Sequence, residues 1–427
     1  EIAIRVMRTA RRMGIRTVAI YTDLDRAAPH VAAADEAQRV PSYLDIEAVV
    51  AVARRVGADV LHPGYGFLSE RALFAHAVEN AGITLVGPPA TAMEVMGRKD
   101  AAREIAVAAG VPVVPRGEDV GYPVLIKAAA GGGGKGMRIV RSPADYDDAV
   151  AAARREAKAA FGDDTILVEA YVERGRHIEV QLLADAHGNV LQLFERDCSS
   201  QRRYQKVVEE APAPTITPEI RELVTSSAVA LARQVGYRSA GTVEFLVDER
   251  TGRAYFLEMN TRLQVEHPVT EMVSGIDLVR EQIRVASGEH LSFSQDDIHL
   301  SGWSMEIRVN AENPAGGGFL PAPGTIDKLV APSGFGTRWD GGYESGDEVS
   351  QFYDNLVGKL IVWGSDRETA IGRLKRAIGE FVLDGIDTTM PAQLEILDHP
   401  DFVAGEHSTN WHESDAIDLS HITSGRL

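Results

Sequence analysis

The chain of 427 residues is long enough for roughly two to four domains. With 44% hydrophobic and 25% charged residues, it can bury sizeable cores beneath an ordinary soluble surface. Its formal charge of -18 argues against a nucleic-acid binder, which needs a basic face, although local loops and lysines can still hold an anionic ligand. The single cysteine, Cys198, excludes an intrachain disulfide and fits a reducing compartment; in ERDCSSQRR it has no obvious base beside it and reads as a structural thiol rather than a nucleophile. No apolar run nears the ~18 residues of a membrane span and no signal peptide is visible, so a cytoplasmic enzyme is expected, with neither nucleic acid nor membrane as partner.

In chain order, IAIRVMRTARRM predicts an amphipathic helix capped by Gly14, and RTVAIYT a strand after it. A helix feeding a strand from the first residue implies a strand before it, so the N-terminus reads as trimmed. Helices near LDIEAVVAVARRVG and RALFAHAVENAG then alternate with the short strands ADVLHPG and TLVGPP. This βαβ punctuation predicts a parallel sheet to about residue 90. A helix in KDAAREIAVAAG leads through VPVVP into a small α+β unit of PVLIKA, GMRIVRS, the Ala-rich helix around DYDDAVAAARREAKAA, and ILVEAYV. HIEVQLLAD, NVLQLFERD, GTVEFLVDE and AYFLEMN predict antiparallel strands to about residue 295. A third unit follows to about 410, with IRVNAE, a Gly/Pro-rich run and late helices. No internal repeat is visible.

Two stretches carry chemistry. AAAGGGGKGMR matches G-x-G-x-x-G at Gly131, Gly133 and Gly136, but MRIV reads as a strand where a dinucleotide fingerprint opens a helix. Nor is it a Walker loop, since Gly136 stands where Ser or Thr is required after Lys135. A glycine loop between two strands is either a flexible hairpin tip or a flap whose N–H groups approach phosphates unhindered. Lys127, closing the apolar strand PVLIKA, favours the flap, because a lysine there is costly without an anion and a nucleotide phosphate would supply one. The second stretch, GTVEFLVDERTGRAYFLEMN, reads as a hairpin. By alternation Thr242, Glu244 and Leu246 share one face, and Phe256, Glu258 and Asn260 one face of the partner strand. If the register lets them meet, two carboxylates and an amide oxygen converge, and like charges across strands need a cation. Oxygen ligands suit Mg²⁺ or Mn²⁺ held jointly with phosphates. A solvated hairpin is the alternative, which the flanking Phe245, Leu246, Phe256 and Leu257 disfavour.

Together these features resemble the ATP-grasp fold, and longer motifs narrow it. HPGYGFLSE (62–70), KAAAGGGGKGMR (127–138), ERDCSSQRRYQKVVEEAP (195–212), EMNTRLQVEHPVTEM (258–272) and IRVNAENP (307–314) resemble biotin carboxylase over essentially the whole chain, in order. The resemblance implies an α/β and α+β multidomain chain. Its units would be a Rossmann-like pre-ATP-grasp domain at 1–97, an ATP-grasp domain at 98–298 with a mobile glycine-rich lid at about 113–172, a biotin carboxylase C-terminal domain at 299–410, and a tail at 411–427. Carried onto matching positions, it implies that Lys99 and Lys127 hold ATP phosphates under a lid of Gly131, Gly132, Gly133, Gly134, Gly136 and Met137. Glu169, Val172, His177, Gln201 and Leu246 would line the rest of the nucleotide site. Glu244 and Glu258 would bind the metal, with Asn260 close by. Lys206, Arg262, Gln264 and the Val265 backbone would position bicarbonate, where a planar guanidinium offers the bidentate match that ammonium cannot. Glu266 would be the general base, Arg308 would stabilise the oxygen anion on biotin, and Tyr65 would lie near the biotin. The competing readings are a solvated lysine for Lys99, a packed strand histidine for His177 and a packed aromatic for Tyr65. One departure is visible: the family frequently has His before QK in QRRxQK, and this chain has Tyr204.

The implied reaction is ATP + bicarbonate + biotin → ADP + phosphate + carboxybiotin through carboxyphosphate, the first half-reaction of an acyl-CoA carboxylase. The alternatives are another ATP-grasp carboxylate–amine ligase, against which RLQVEHP and IRVNAE count, and a catalytically dead ATP-binding subunit. None of the nine methionines adjoins a lysine, so the biotin-bearing lysine is expected on a carrier protein or domain outside this chain. A carboxyltransferase subunit and a homo-oligomer are the further partners the resemblance implies.

Overall fold

The computed structural model describes residues 1–117, 120–129, 137–414 and 416–427. In the N-terminal unit, strands β1 (Val18–Tyr21) and β2 (Glu36–Arg39) pair in parallel, as do β3 (Val60–Leu61) and β4 (Thr84–Leu85). The expected single parallel sheet is therefore two separate pairs, because no ladder bonds join β1 to β3. The helices between them form for local reasons. Asp45 caps Ile46–Arg55 by accepting from the Ala48 N–H at 2.9 Å, and that helix turns Val49, Val50, Val52 and Ala53 into a core with Phe74, Ala75 and Val78 of Ala72–Asn80. The first helix, Ile2–Arg12, is tied to the rest of the chain by Arg5, whose guanidinium reaches Glu271 at 2.7 Å and Asp277 at 2.9 Å.

A three-stranded antiparallel unit follows: β5 (Val124–Ala128) lies between β6 (Arg138–Val140) and β7 (Ile166–Ala170), with helix Tyr146–Phe161 packed on it. Then come β8 (Gly175–Ala184), β9 (Val190–Arg202), β10 (Gln205–Ala211), β11 (Ser239–Asp248), β12 (Arg253–Asn260) and β13 (Trp303–Asn310). They form one sheet in the order β12-β11-β8-β9-β10-β13, continued by strands Leu356–Gly364 and Thr337–Gly341. The sheet thus crosses without a break from the central part of the chain into its C-terminal part.

Alternation along this sheet creates the site. On β8, Ile178, Val180 and Leu182 are fully buried in a core shared with Val224, Ala228 and Leu231 of helix Pro218–Gln234. The intervening Glu179 and Gln181 are just as buried, yet they point to the opposite face and are satisfied there by Arg196 of β9. One face of the sheet is thus a hydrocarbon core and the other a buried polar floor. On the β11–β12 ladder alternation fails once: Glu244 pairs with Glu258, but Phe245 pairs with Phe256, so Leu257 is an extra residue bulged out of β12. The bulge puts Phe256 into the core beside Phe245 instead of on the face of Glu258, correcting the face expected for it.

Candidate active site

The floor is organised by Arg196, which is fully buried. Its guanidinium donates to Glu179 at 2.6 Å, Gln181 at 2.7 Å, Thr270 at 3.0 Å, Thr242 at 3.2 Å and Gln264 at 2.5 Å. A buried cation costs several kcal/mol unless its donors are met. Here Arg196 meets acceptors from four segments and fixes the orientation of Gln264.

Above it sits Glu266, the residue ahead of helix His267–Ser274. One carboxylate oxygen accepts from Lys206 Nζ at 2.5 Å and the other from Arg308 at 3.0 Å. Lys206 comes from β10 and Arg308 from β13, so three elements far apart in sequence meet at one carboxylate. Burial works against charge on Glu266, but Lys206, Arg308 and Arg196 hold its carboxyl well below the usual range. Lys206 also reaches Glu179 at 2.6 Å and Glu244 at 3.2 Å. Burial disfavours its ammonium form, yet Glu179, Glu244 and Glu266 hold it well above its ordinary value. Arg308 is braced from behind by Glu209 at 2.6 Å.

Glu244 accepts from Asn260 Nδ2 and Gln264 Nε2 at 2.9 Å each, and His177 Nε2 lies 2.9 Å from its second oxygen. Burial lowers the His177 pKa, but the charge of Glu244 outweighs it and the imidazole sits above its usual value. Glu258 faces Glu244 across the ladder and stands open to the cleft. Crowding by the surrounding protein, then the charge of Glu244, raises its carboxyl. Two carboxylates in register, one raised by the other, form an oxygen donor set that fits a hard divalent cation. Asn260 fits less well than expected: its amide oxygen accepts from Arg262 at 3.0 Å, and its nitrogen is what faces Glu244. Among the described residues, the groups close enough to share an ion are His177–Glu179–Glu244 and Glu179–Cys198–Glu266, both already crossed by Lys206 or Arg196.

At the other end of the cleft, Lys127 of β5 pairs with Glu169 of β7 at 2.5 Å, and Arg116 reaches the same carboxylate at 2.5 Å. Lys127 thus has a carboxylate partner on the neighbouring strand. Burial pushes Glu169 up, but Lys127 and Arg116 prevail and lower it. Gln201 bridges His177 Nδ1 at 2.7 Å and the Cys198 carbonyl at 2.8 Å. Cys198 is fully buried, and burial drives its thiol pKa well up, as a structural thiol requires. Tyr65 hydrogen-bonds Glu1, Arg262 donates to Glu70 at 3.0 Å, and the Val265 carbonyl accepts from Lys359 at 2.6 Å. Gly131, Gly132, Gly133, Gly134 and Gly136 lie outside the described residues. All the other expected site residues, Lys99, Met137, Val172 and Leu246 included, line one cleft of ≈ 2680 Å³.

Biotin carboxylase 1 of Bacillus subtilis (strain 168) is 47% identical over 434 residues, which cover 97% of this chain and 96% of that one. The chain belongs to the biotin carboxylase family. Family models agree along its length: the biotin carboxylase N-terminal domain matches residues 1–93, the ATP-binding domain of the carbamoyl-phosphate synthase L chain 70–294, and the biotin carboxylase C-terminal domain 306–414. A solved relative with the same ATP-grasp architecture is the biotin carboxylase domain dimer of Hydrogenobacter thermophilus 2-oxoglutarate carboxylase, in complex with MgADP, ADP and bicarbonate. It matches at a TM-score of 0.91 and 45% identity, covering 96% of this chain and 95% of that one. The mitochondrial methylcrotonoyl-CoA carboxylase subunit alpha of Oryza sativa subsp. japonica is 50% identical over 98% of this chain, which spans only 60% of that relative's length.

Three residues of this biotin carboxylase-family site escaped the sequence reading: Glu179, Arg196 and Glu209. Glu179 lies in a strand where polar and apolar residues alternate, a pattern that ordinarily marks a solvated face, while Arg196 and Glu209 lie in the charged runs Glu195-Arg196-Asp197 and Glu209-Glu210, which carry no face periodicity at all. Here the second face is buried beneath the cleft, and only the long-range meeting of strands shows it. Tyr204 is 64% exposed at the cleft wall, with a left-handed φ of 65°.

Proposed function

We propose that the chain carboxylates biotin, with ATP + bicarbonate + biotin giving ADP + phosphate + carboxybiotin. One observation carries this reading: a buried carboxylate, Glu266, is gripped at once by Lys206 and Arg308 inside a cleft that also holds a facing pair of carboxylates. An anion with one proton and three oxygens fits that arrangement. Bicarbonate inserts between Glu266 and its two cations, with Arg262, Gln264 and the Val265 backbone completing the seat. Lys206 and Arg308 then turn toward bicarbonate, the hold on Glu266 weakens, and its carboxylate becomes basic enough to take the proton. The oxygen thus freed attacks the γ-phosphorus of ATP, breaking the bond to ADP and forming carboxyphosphate. Carboxyphosphate splits to CO₂ and phosphate, the phosphate takes the ureido proton of biotin, and the biotin nitrogen bonds to CO₂. Arg308 faces the ureido oxygen as its charge grows, and Tyr65 flanks the ring.

Lys99 and Lys127 hold the phosphates, and Lys127 exchanges Glu169 for them. His177, Gln201, Glu169, Val172, Leu246 and Met137 line the nucleotide site. Glu244 and Glu258 hold Mg²⁺ or Mn²⁺, which screens charge on the triphosphate. The biotin arrives on a carrier protein or domain. A carboxyltransferase subunit and a second copy of the chain complete the assembly, in keeping with a relative that is an alpha subunit and another solved as a domain dimer. A cytoplasmic setting is part of the same reading, supported by the lone, buried Cys198; no helix among the described residues is long and apolar enough to cross a membrane.

ADP release with free biotin, with and without bicarbonate, tests the reading. Release should require bicarbonate and rise with biotin; release indifferent to both would overturn it.

A further inference from the structure

The proposed chemistry leaves the outer rim of the cleft unused. Leu24, Phe67 and Phe352 are 57%, 54% and 67% exposed, and all three line the same cleft as Glu266 and Arg308. They stand on three separate loops that a half-buried aromatic cluster locks together. Tyr43 lies 5.0 Å from Phe67 and 5.8 Å from Tyr353, and Phe67 meets Tyr353 edge-on at 6.0 Å. The Tyr353 hydroxyl hydrogen-bonds Thr22 at 2.7 Å, two residues before Leu24, and Tyr43 bonds Asp25, one residue after it. Phe67 holds a φ of 45°, a conformation rare for a bulky side chain and kept only where the surroundings enforce it. Single exposed apolar residues need no explanation, but a rigid apolar cluster at the mouth of a cleft marks an interaction site.

The position of the rim decides its occupant. Phe67 lies two residues beyond Tyr65 in the loop that the proposed activity places beside biotin, and the aromatic cluster ties the loops of Leu24 and Phe352 to it, so the apolar rim stands beside the biotin side of the cleft. A biotin tethered to a lysine brings its carrier against whatever encircles the entrance, and this chain has no lysine flanked by methionine to carry it. We propose that Leu24, Phe67 and Phe352 form the docking surface for the carrier domain that presents biotinyl-lysine, with the two phenylalanines as its aromatic anchors. The inference rests on the activity proposed above.

Steady-state turnover with three biotin donors separates the possibilities: free biotin, biotinyl-lysine and a purified biotinylated carrier domain. The double variant Leu24→Ser/Phe352→Ser should lower kcat/KM for the carrier domain about tenfold or more, while free biotin and biotinyl-lysine stay within about twofold. Unchanged turnover of the carrier domain overturns the proposal, as does an equal loss with all three donors, which would make the rim part of the cleft wall. A change in sedimentation with carrier kinetics intact would assign the rim to a second copy of the chain and also overturn it. Should the double variant fail to fold, Phe352→Ser and Phe67→Gln are read singly against the same criteria. Absence of bicarbonate-dependent turnover with free biotin in the unmodified enzyme strikes at the activity itself; normal free-biotin turnover with an insensitive carrier strikes only at the surface.

Discussion

Glu266, Lys206 and Arg308 are each held by opposite charge, so removing one changes the proton affinity of the others. Glu266→Gln keeps the shape but not the base, and bicarbonate-dependent ATP cleavage should fall about 10²–10⁴-fold. Arg308→Ala acts differently: it removes one of the two cations at bicarbonate but also frees one oxygen of Glu266 to act as base, so ATP cleavage should fall far less than biotin carboxylation, which drops about 10²–10³-fold. A parallel loss of both activities in Arg308→Ala would move Arg308 out of the second half-reaction. His177 supplies a pH signature. Its imidazole is raised by Glu244, so the ion pair stabilises the fold fully below the unfolded value of ~6.5 and is lost as pH rises through the higher folded value. The imidazolium competes with a divalent cation for Glu244. The metal concentration giving half-maximal activity should therefore fall as pH rises from 6 to 9, and His177→Asn should flatten that slope; an unaltered slope would free His177 from this role. The motif EMNTRLQVEHP marked Glu258, Arg262, Gln264 and Glu266 before any coordinates, but what their side chains touch was not legible. That Lys127 rests on Glu169, or that the Asn260 oxygen serves Arg262, depends on contacts between strands that no local pattern records.

Among the elements, the hairpin of β11 and β12 was readable as far as its turn and its carboxylates; alternation gave Glu244 and Glu258 their faces but left open the register that pairs them. The bulge at Leu257 was not readable, because one extra residue on one strand leaves the composition of both unchanged. Residues 411–427 were expected to be a mere tail, yet the chain running from residue 405 into that segment lies on the active sheet. The Thr409 N–H bonds the Gly175 carbonyl at 2.9 Å, Asn410 reaches the Glu173 carbonyl at 3.2 Å, and His412 meets Ser200 at 3.0 Å. Two histidines hold this strap. His407 stacks on Phe402 and is lowered to about 4, by burial first and against the pull of Asp197. His412 is lowered to about 3, by burial and then by His407 and Arg202. Both are neutral when folded, whereas the unfolded chain takes up protons near ~6.5, so stability falls as pH drops from ~6.5 toward 4. For His407 the loss is on the order of 3 kcal/mol once the window is crossed. Limited proteolysis at pH 5 should cut near residues 406–414 faster than at pH 8, and His412→Asn should weaken that dependence. Equal cutting at both pH values would show that the strap does not respond to these groups.

On the scale of the whole molecule, the order of motifs suggested a three-part plan but said nothing of how the parts join. β10 pairs with β13 from Val208↔Ile307 to Ala211↔Ser304, and β13 pairs in turn with Leu356–Gly364, so the central and C-terminal parts share one sheet. Ladder partners so distant in sequence leave no periodicity to read. The join also places Arg308 and Glu209 side by side, which makes the catalytic floor a product of both parts. A shared sheet has a thermodynamic consequence: neither part can open without exposing the ladder edge and buried charges of the other, so the two should unfold together. The chain carries its own probe for this, since its four tryptophans, Trp303, Trp339, Trp363 and Trp411, all lie beyond residue 300. Tryptophan fluorescence therefore reports the C-terminal part alone, while far-ultraviolet circular dichroism reports every helix and strand. In urea the main fluorescence transition should coincide with the main dichroism transition, with the same midpoint and slope. Any earlier dichroism change should come from β1–β4 or from β5–β7, which lie outside the shared sheet. A fluorescence midpoint clearly apart from the main dichroism step would mean that the β10–β13 ladder does not couple the two parts, and that Arg308 belongs to a unit able to leave the site on its own.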